Sequence, residues 1–188
     1  VKKLLSFIII LTILVSCISE DTDRIVVTTD TNLHLDNGEL FYKTKLFSGM
    51  LIDYYKNDQI KSKVIYVDGR KEGEEQSFYK NGELRTKRFY KKGIKVGIHK
   101  GWWPDNHHKF VYHFNEEGKY HGSVMEWYAN GQLLKSFRFN HGKEEGKQQL
   151  FRSDGNIRAN YEVIKGERFG LVGLKKCYTI KKDSTKIY

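Results

Sequence analysis

The sequence predicts an all-β fold: an elongated, single-layer, twisted antiparallel sheet of stacked β-hairpins. Three observations carry this expectation. Glycines recur at Gly49, Gly73, Gly97, Gly122, Gly146 and Gly170, spaced 24 residues apart with one interval of 25. An aromatic residue stands five places after each of the first five: Tyr54, Phe78, Trp102, Trp127 and Phe151. A turn sequence comes next, written KND, KNG, PDN, ANG and SDG. A fixed period of this size marks a repeated supersecondary unit. One hairpin cannot bury its apolar face alone, whereas stacked copies can.

The glycines divide the array into units 49–72, 73–96, 97–121, 122–145 and 146–169. The first strand of each unit ends at the aromatic residue. The turn dipeptides tolerate φ > 0 and are strong short-range hairpin signals. The second strand opens with Ile60, Leu84, His108, Leu133 or Ile157 and continues with alternate apolar residues, such as Val64 and Tyr66, Phe137 and Phe139, or Tyr161 and Val163. A period of two fits a strand with one buried face. A second turn carries Gly69, Gly93, Gly118, Gly142 or Gly166. The third unit has one extra residue, with Pro104 at its turn and His108 in an aliphatic place. A bulge there is expected to absorb the insertion.

The flanks have other jobs. Lys2 and Lys3 precede an apolar run, Leu4 to Val15, too short to span a bilayer comfortably. The run ends Leu14-Val15-Ser16-Cys17, which resembles a bacterial lipobox. That resemblance implies a lipoprotein signal peptide over 1–17 and acylation of Cys17. The alternative is an ordinary signal peptide or a short anchor with an incidental cysteine. Several acyl chains on one residue give stable anchoring where a single chain does not. Residues 18–35 read as a polar tether. Ile18, where the enterobacterial sorting pattern puts aspartate for inner-membrane retention, directs the expectation to the outer membrane. Residues 173–188 read as a closing strand and basic tail.

Composition narrows the function. The chain has 188 residues, 17 Gly, 1 Pro, 2 Cys and a formal net charge of +10. A basic surface favours anionic partners. Beyond Cys17 only Cys177 remains, so no disulfide framework forms within one molecule. A lone cysteine near a domain's end reads as a small hydrophobe. The carboxylate pairs Glu74-Glu75, Glu116-Glu117 and Glu144-Glu145 sit at or beside turns, and strand neighbours diverge to opposite faces. His99, His107, His108, His113 and His121 crowd the third unit, yet adjacent histidines at a turn are a poor start for a tetrahedral site. The expectation is no metal and no cofactor. Gly93 to Gly101 lacks the Lys-Ser/Thr ending of a P-loop, and no nucleophile–histidine arrangement has family-type spacing. The chain reads as a non-enzyme.

A second aromatic column is the informative feature. The sixth residue after each glycine is Tyr55, Tyr79, Trp103, Tyr128 and then Arg152. It is expected on the face opposite the first column, with Phe78, Trp102 and Trp127 facing the apolar residues of the second strands. Lys61, Lys63, Arg85, Lys87, Arg138 and Arg158 alternate with the apolar set. If they share the face of the second column, Tyr55, Tyr79, Trp103 and Tyr128 with Arg85, Lys87 and Arg138 form an aromatic, basic binding face. The competing reading is structural, since stacked rings and long basic stems also cover a single-layer sheet.

The repeated phrases FYKNGELRTKRFYKKGIKVG (Phe78 to Gly97) and WYANGQLLKSFRFNHGKEEG (Trp127 to Gly146) resemble the MORN-repeat variant of bacterial proteins labelled YwqK-type antitoxins. The resemblance covers roughly 36–172 and implies stacked MORN-like hairpins. Two functions are expected from it. One is an envelope lipoprotein whose repeat sheet binds a protein or an anionic surface polymer. The alternative is an antitoxin or immunity protein that neutralises a toxin by binding it. The membrane is contacted through the lipid anchor, and no nucleic acid partner is expected.

Overall fold

The computed structural model describes residues 24–173. The expected signal peptide with Cys17, and Cys177 in the expected basic tail, lie outside the described residues. Among those described there is no helix, and the strands are joined almost entirely as antiparallel hairpins. The chain divides into two compact units, Val1–Lys95 and Val96–Tyr188.

The first unit contains β1 (Ile25–Val27), β2 (Leu33–Asp36), β3 (Glu39–Tyr42), β4 (Lys45–Leu46), β5 (Gly49–Tyr54), β6 (Ile60–Val67), β7 (Arg70–Phe78), β8 (Leu84–Lys91) and β9 (Ile94–Lys95). The hairpins make a single layer in the order β1-β5-β6-β7-β8, with β9 on β8, and β2-β3-β4 form a separate small sheet. Two strands therefore lie in the stretch expected to be a tether. β1 pairs parallel with β5, Val26 opposite Leu51. The reason is apolar burial: Val26, Leu40 and Phe47 make a core against Leu51 and Tyr66. Phe47 is 1% exposed, and full burial of such a side chain stabilises by about 1.5–3 kcal/mol. Two backbone bonds at Gly69 hold the small sheet in place: Leu40 N–H donates to its carbonyl and Gly69 N–H donates to Phe47, each at 2.8 Å.

The second unit contains β10 (Gly97–Trp102), β11 (His108–Phe114), β12 (Tyr120–Trp127), β13 (Leu133–Asn140), β14 (Lys143–Glu144), β15 (Gly146–Phe151), β16 (Ile157–Ile164) and β17 (Glu167–Leu171). Their order is β10-β11-β12-β13-β15-β16-β17, with β14 on β13. In neither unit does the path return to its first strand, so neither closes into a barrel.

Two kinds of turn alternate. After the first strand of each hairpin comes a three-residue loop. The amide of Asp58, Gly82, Asn106, Gly131 or Gly155 donates to the carbonyl three residues back, at 2.9–3.0 Å. Each of these five is left-handed, with φ between 60° and 85°. The Asn or Asp before it explains the recurring sequence. Its side-chain oxygen accepts the amide two residues on, as in Asn81 with Glu83 (3.1 Å) and Asn130 with Gln132 (3.1 Å). After the second strand comes a two-residue loop with both residues at φ > 0, as in Asp68-Gly69 and His141-Gly142. This is the type I′ geometry matched to strand twist.

The third hairpin departs at this second turn. Asn115 and Gly118 close a three-residue loop, Gly118 N–H donating to Asn115 at 3.1 Å, where its neighbours use two residues. The insertion is thus absorbed at Glu116-Glu117, not around Pro104, whose turn is built like the others.

Candidate binding site

Each hairpin carries a bulge, and the bulge sets the faces. In β5–β6, Asp53 lies opposite Ser62 but Tyr54 opposite Ile60, so Lys61 is left over. The same shift leaves Arg85 in β8, Lys109 in β11, Leu134 in β13 and Arg158 in β16. One extra residue reverses the side-chain phase of the strand beyond it. The aromatic ending each first strand therefore pairs with the residue opening the second, yet lies on the face away from the apolar set. Lys63 is opposite Gln76, two residues before Phe78, and its Nζ lies 6.0 Å over the Phe78 ring. The expectation that Phe78, Trp102 and Trp127 face the second-strand apolar residues is corrected accordingly. Val64 lies instead with Leu51 and Glu75, and Phe137 with Val124.

Tyr55, Trp103 and Tyr128 of the second aromatic column stand immediately before their three-residue turns and reach toward the next hairpin. Tyr55 Oη donates to the Phe78 carbonyl at 2.8 Å, Trp103 Nε1 to Trp127 at 3.1 Å and Tyr128 Oη to Phe151 at 3.2 Å. These rings are half-buried. The basic residues split between faces. Arg85, a bulge residue, lies 5.8 Å over the Tyr79 ring. Lys87 lies on the other face, pairing with Glu74 at 2.8 Å and covering Phe89. Arg138 also lies on that face, opposite Ser123. The cations therefore do not form one stripe along the second column. Lys109, not singled out from sequence, lies 4.2 Å over Trp103. Its signal was its phase, since Lys61, Arg85 and Lys109 recur at the repeat interval.

At the next hairpin of the second unit the bulge residue is Leu134, and the surface changes character. Trp103, Lys109, Phe110, Tyr112, Tyr128 and Leu134, together with Glu126 and Trp127, line a concavity of about 450 Å³. Phe110 and Tyr112 stack at 4.6 Å with an 18° interplanar angle. Phe110 lies over Gly101, where no side chain competes for the space. Tyr112 Oη donates to Glu126 at 3.1 Å, and Lys135 meets the same carboxylate at 3.3 Å. The result is a largely aromatic surface with Lys109 above it and a paired carboxylate in its lining.

His99 and Gln148, both buried nearby, have partners. His99 is 2% exposed beneath Phe114, ring centroids 4.6 Å apart. Gln148 is fully buried, accepting from Arg138 N–H at 3.1 Å and donating to its carbonyl at 2.9 Å. In the first unit, Glu75 lies between Lys71 (2.5 Å) and Arg88 (3.7 Å). Burial, reinforced by Glu75, pushes the Tyr90 phenol up to about 12. Among the described residues no group of three or more histidines, cysteines or carboxylates is placed to hold a metal ion.

Comparison with known proteins gives one family. Residues 71–92 and 120–141 match the family model described as MORN repeat variant. No curated protein matches the chain. A solved structure of an S. aureus TarM mutant in complex with fondaparinux, alpha-GlcNAc-glycerol and UDP aligns at 14% identity and a TM-score of 0.32, covering 61% of this chain and 21% of that one.

Proposed function

For a chain built from MORN-variant repeats, we propose a non-enzymatic, envelope-anchored lipoprotein whose hairpin sheet binds a protein or an anionic surface polymer. The observation that carries this reading is the aromatic concavity of the second unit. Aromatic rings at a surface supply contact area at small entropic cost and suit the faces of sugars and the side chains of proteins alike. Lys109 favours an occupant with an acidic or otherwise electron-rich group beside its apolar part. The lipobox-like Cys17 supplies the address, with the outer membrane favoured by Ile18.

The test has two arms. Cys17→Ala leaves a larger precursor without lipid, and wild-type processing of that variant overturns the anchor. Ala129→Glu places a carboxylate into the concavity from an exposed turn position without touching the core, and so opposes an acidic ligand. Sedimentation with purified envelope polysaccharide, and solid-phase binding to purified envelope proteins, should fall at least ten-fold in this variant while its melting temperature holds. Equal binding by both chains removes the concavity from the proposal. If the ligand that Ala129→Glu loses is a toxin, the immunity function replaces the scaffold one.

A further inference from the structure

The tripeptide Asn-Gly-Glu occurs twice in the first unit, at Asn37-Gly38-Glu39 and at Asn81-Gly82-Glu83, and the fold treats the two copies differently. Asn81 is clasped. Its Oδ1 accepts the Glu83 amide at 3.1 Å, and its Nδ2 donates to the Glu83 carboxylate at 2.8 Å. The Gly82 amide donates to the Tyr79 carbonyl at 3.0 Å. Asn37 stands instead in the two-residue turn between β2 and β3, with Asn37 and Gly38 both left-handed at φ 46° and 84°. There the Glu39 carboxylate is drawn away to Arg70, at 2.7 Å. Among the described residues neither the Asn37 carboxamide nor the Gly38 amide has a hydrogen-bond partner. The turn is exposed, and a Cβ built on Gly38 meets nothing within 4 Å. Its strands also part more easily. β2 is the edge of the small sheet and pairs with β3 alone, whereas β7 lies between β6 and β8. The third Asn-Gly pair, Asn130-Gly131 in the second unit, is held as Asn81 is. Asn130 accepts from the Gln132 amide and donates to the Ser153 carbonyl, each at 3.1 Å, and the Gly131 amide donates to Tyr128 at 3.0 Å.

We propose that Asn37 is a site of covalent self-modification, its carboxamide deamidating through the backbone nitrogen of Gly38. The glycine nitrogen gives its proton to solvent and attacks the Asn37 Cγ. A C–N bond forms, the carboxamide nitrogen leaves as ammonia, and a five-membered succinimide remains. Water then opens the ring at either carbonyl, which yields aspartate or isoaspartate. Glycine suits the step because no side chain crowds its nitrogen. Closure takes Asn37 out of its left-handed turn, so the rate follows the population of opened turn, and every bond that must break lowers that population. Two extra side-chain bonds lower it at Asn81 and Asn130 by about ten-fold. The product matters for the small sheet. Isoaspartate carries its Cβ in the main chain, and a two-residue turn matched to strand twist has no room for the added atom. A new charge also joins Asp36 and Glu39. β2 then detaches and withdraws Leu33 from the core of Val26, Leu40 and Phe47, while the hairpins from β5 to β8 stay intact. Age is thereby written into the small sheet and not into the repeats.

The experiment ages the full chain at mildly alkaline pH, once folded and once in urea. Acidic digestion and mass spectrometry then follow the conversion of amide to acid in each Asn-Gly peptide. In the folded chain Asn37 should convert about ten-fold faster than Asn81 or Asn130. In urea the three rates should become alike, since Asn37 and Asn81 share one tripeptide. Glu83→Ala removes half of the clasp and should accelerate Asn81, measured against its own rate in urea, while Asn130 keeps its rate. Hydrogen exchange on the aged chain should show β2 unprotected and β6 to β8 still protected. Equal rates in the folded chain overturn the site, and so does a preference for Asn37 that persists in urea. An unchanged Asn81 in Glu83→Ala overturns the clasp as the cause. Protection of β2 that survives full conversion to isoaspartate overturns the consequence for the small sheet.

Discussion

Replacing Gly101 by alanine sets a methyl group against the Phe110 ring. An ideal Cβ at Gly101 would stand 2.2 Å from Phe110 Cε1 and 2.7 Å from Cδ1 and Cζ, where carbon atoms prefer about 3.5–4.0 Å. The ring must therefore recede by roughly 1.5 Å and leave its stack with Tyr112. Overpacking of this kind costs about 1–3 kcal/mol. Gly101 is not in the left-handed region, so alanine also recovers about 0.5–1 kcal/mol of strand preference. The net expectation is a loss of up to about 2.5 kcal/mol. In a Phe110→Ala background there is no ring to meet, and the same substitution should stabilise by about 0.5–1 kcal/mol. The sign reverses, which makes the comparison sharp. A double-mutant cycle by thermal and urea unfolding of the four chains measures it, each kcal/mol appearing as about 2–4 °C for a domain of this size. If Gly101→Ala stabilises wild type as much as it stabilises Phe110→Ala, the ring is not held over Gly101 and the concavity has no fixed floor.

The geometry sets three further expected outcomes. Tyr128→Phe removes the donor to the Phe151 carbonyl and should lower stability by about 0.5–1.5 kcal/mol, read by urea unfolding, with Tyr55→Phe behaving alike. Gly131→Val forces a β-branched residue to φ 79° with no steric neighbour and should cost about 1–3 kcal/mol, whereas Asp58→Asn, already left-handed without glycine, should leave the melting temperature within error. The raised Tyr90 phenol binds its proton more tightly folded than unfolded, so its contribution is complete below about pH 10 and is lost as the pH rises toward about 12. Alkaline absorbance titration should show this late ionisation. Glu75→Gln should bring it earlier, though not to the ordinary value, because burial is the larger cause.

The hairpins were legible because their signals are local. An Asn-Gly turn needs only its own backbone and one side-chain bond, so Asn81-Gly82 and Asn130-Gly131 declare themselves without tertiary context. The faces were not legible, because a period of two counted from Ile60 through Val64 crosses Lys61, the extra residue of the bulge. Nothing about Lys61 by itself marks it as unpaired, and only its strand partners do. The N-terminal strands escaped for another reason. Ile25-Val26-Val27 is short and set in polar sequence, and it is ordered by Phe47 and Leu40 arriving from later in the chain. The ties between hairpins did leave a trace. The column Tyr55, Tyr79, Trp103, Tyr128 contains only aromatic residues with an O–H or N–H, whereas the neighbouring column admits phenylalanine. At the candidate site, Trp103 and Tyr128 were visible as ladder members. The concavity between them depends on Leu134 replacing a bulge cation and on Gly101 lacking a side chain, details that acquire meaning only in three dimensions.

Those ties have a direction. In each case seen, the earlier hairpin gives the proton and the later one supplies the carbonyl, and a carbonyl is present whatever residue stands there. A duplicated hairpin carrying tyrosine or tryptophan in its sixth place can therefore bond to any successor, and deletion of a whole copy rejoins donor and acceptor without a mismatch. The number of copies is free to drift under unequal recombination, because the joint reads one side chain and no matching residue. Arg152 breaks that rule after Tyr128 has made its bond to Phe151, and so marks where such growth would have to resume.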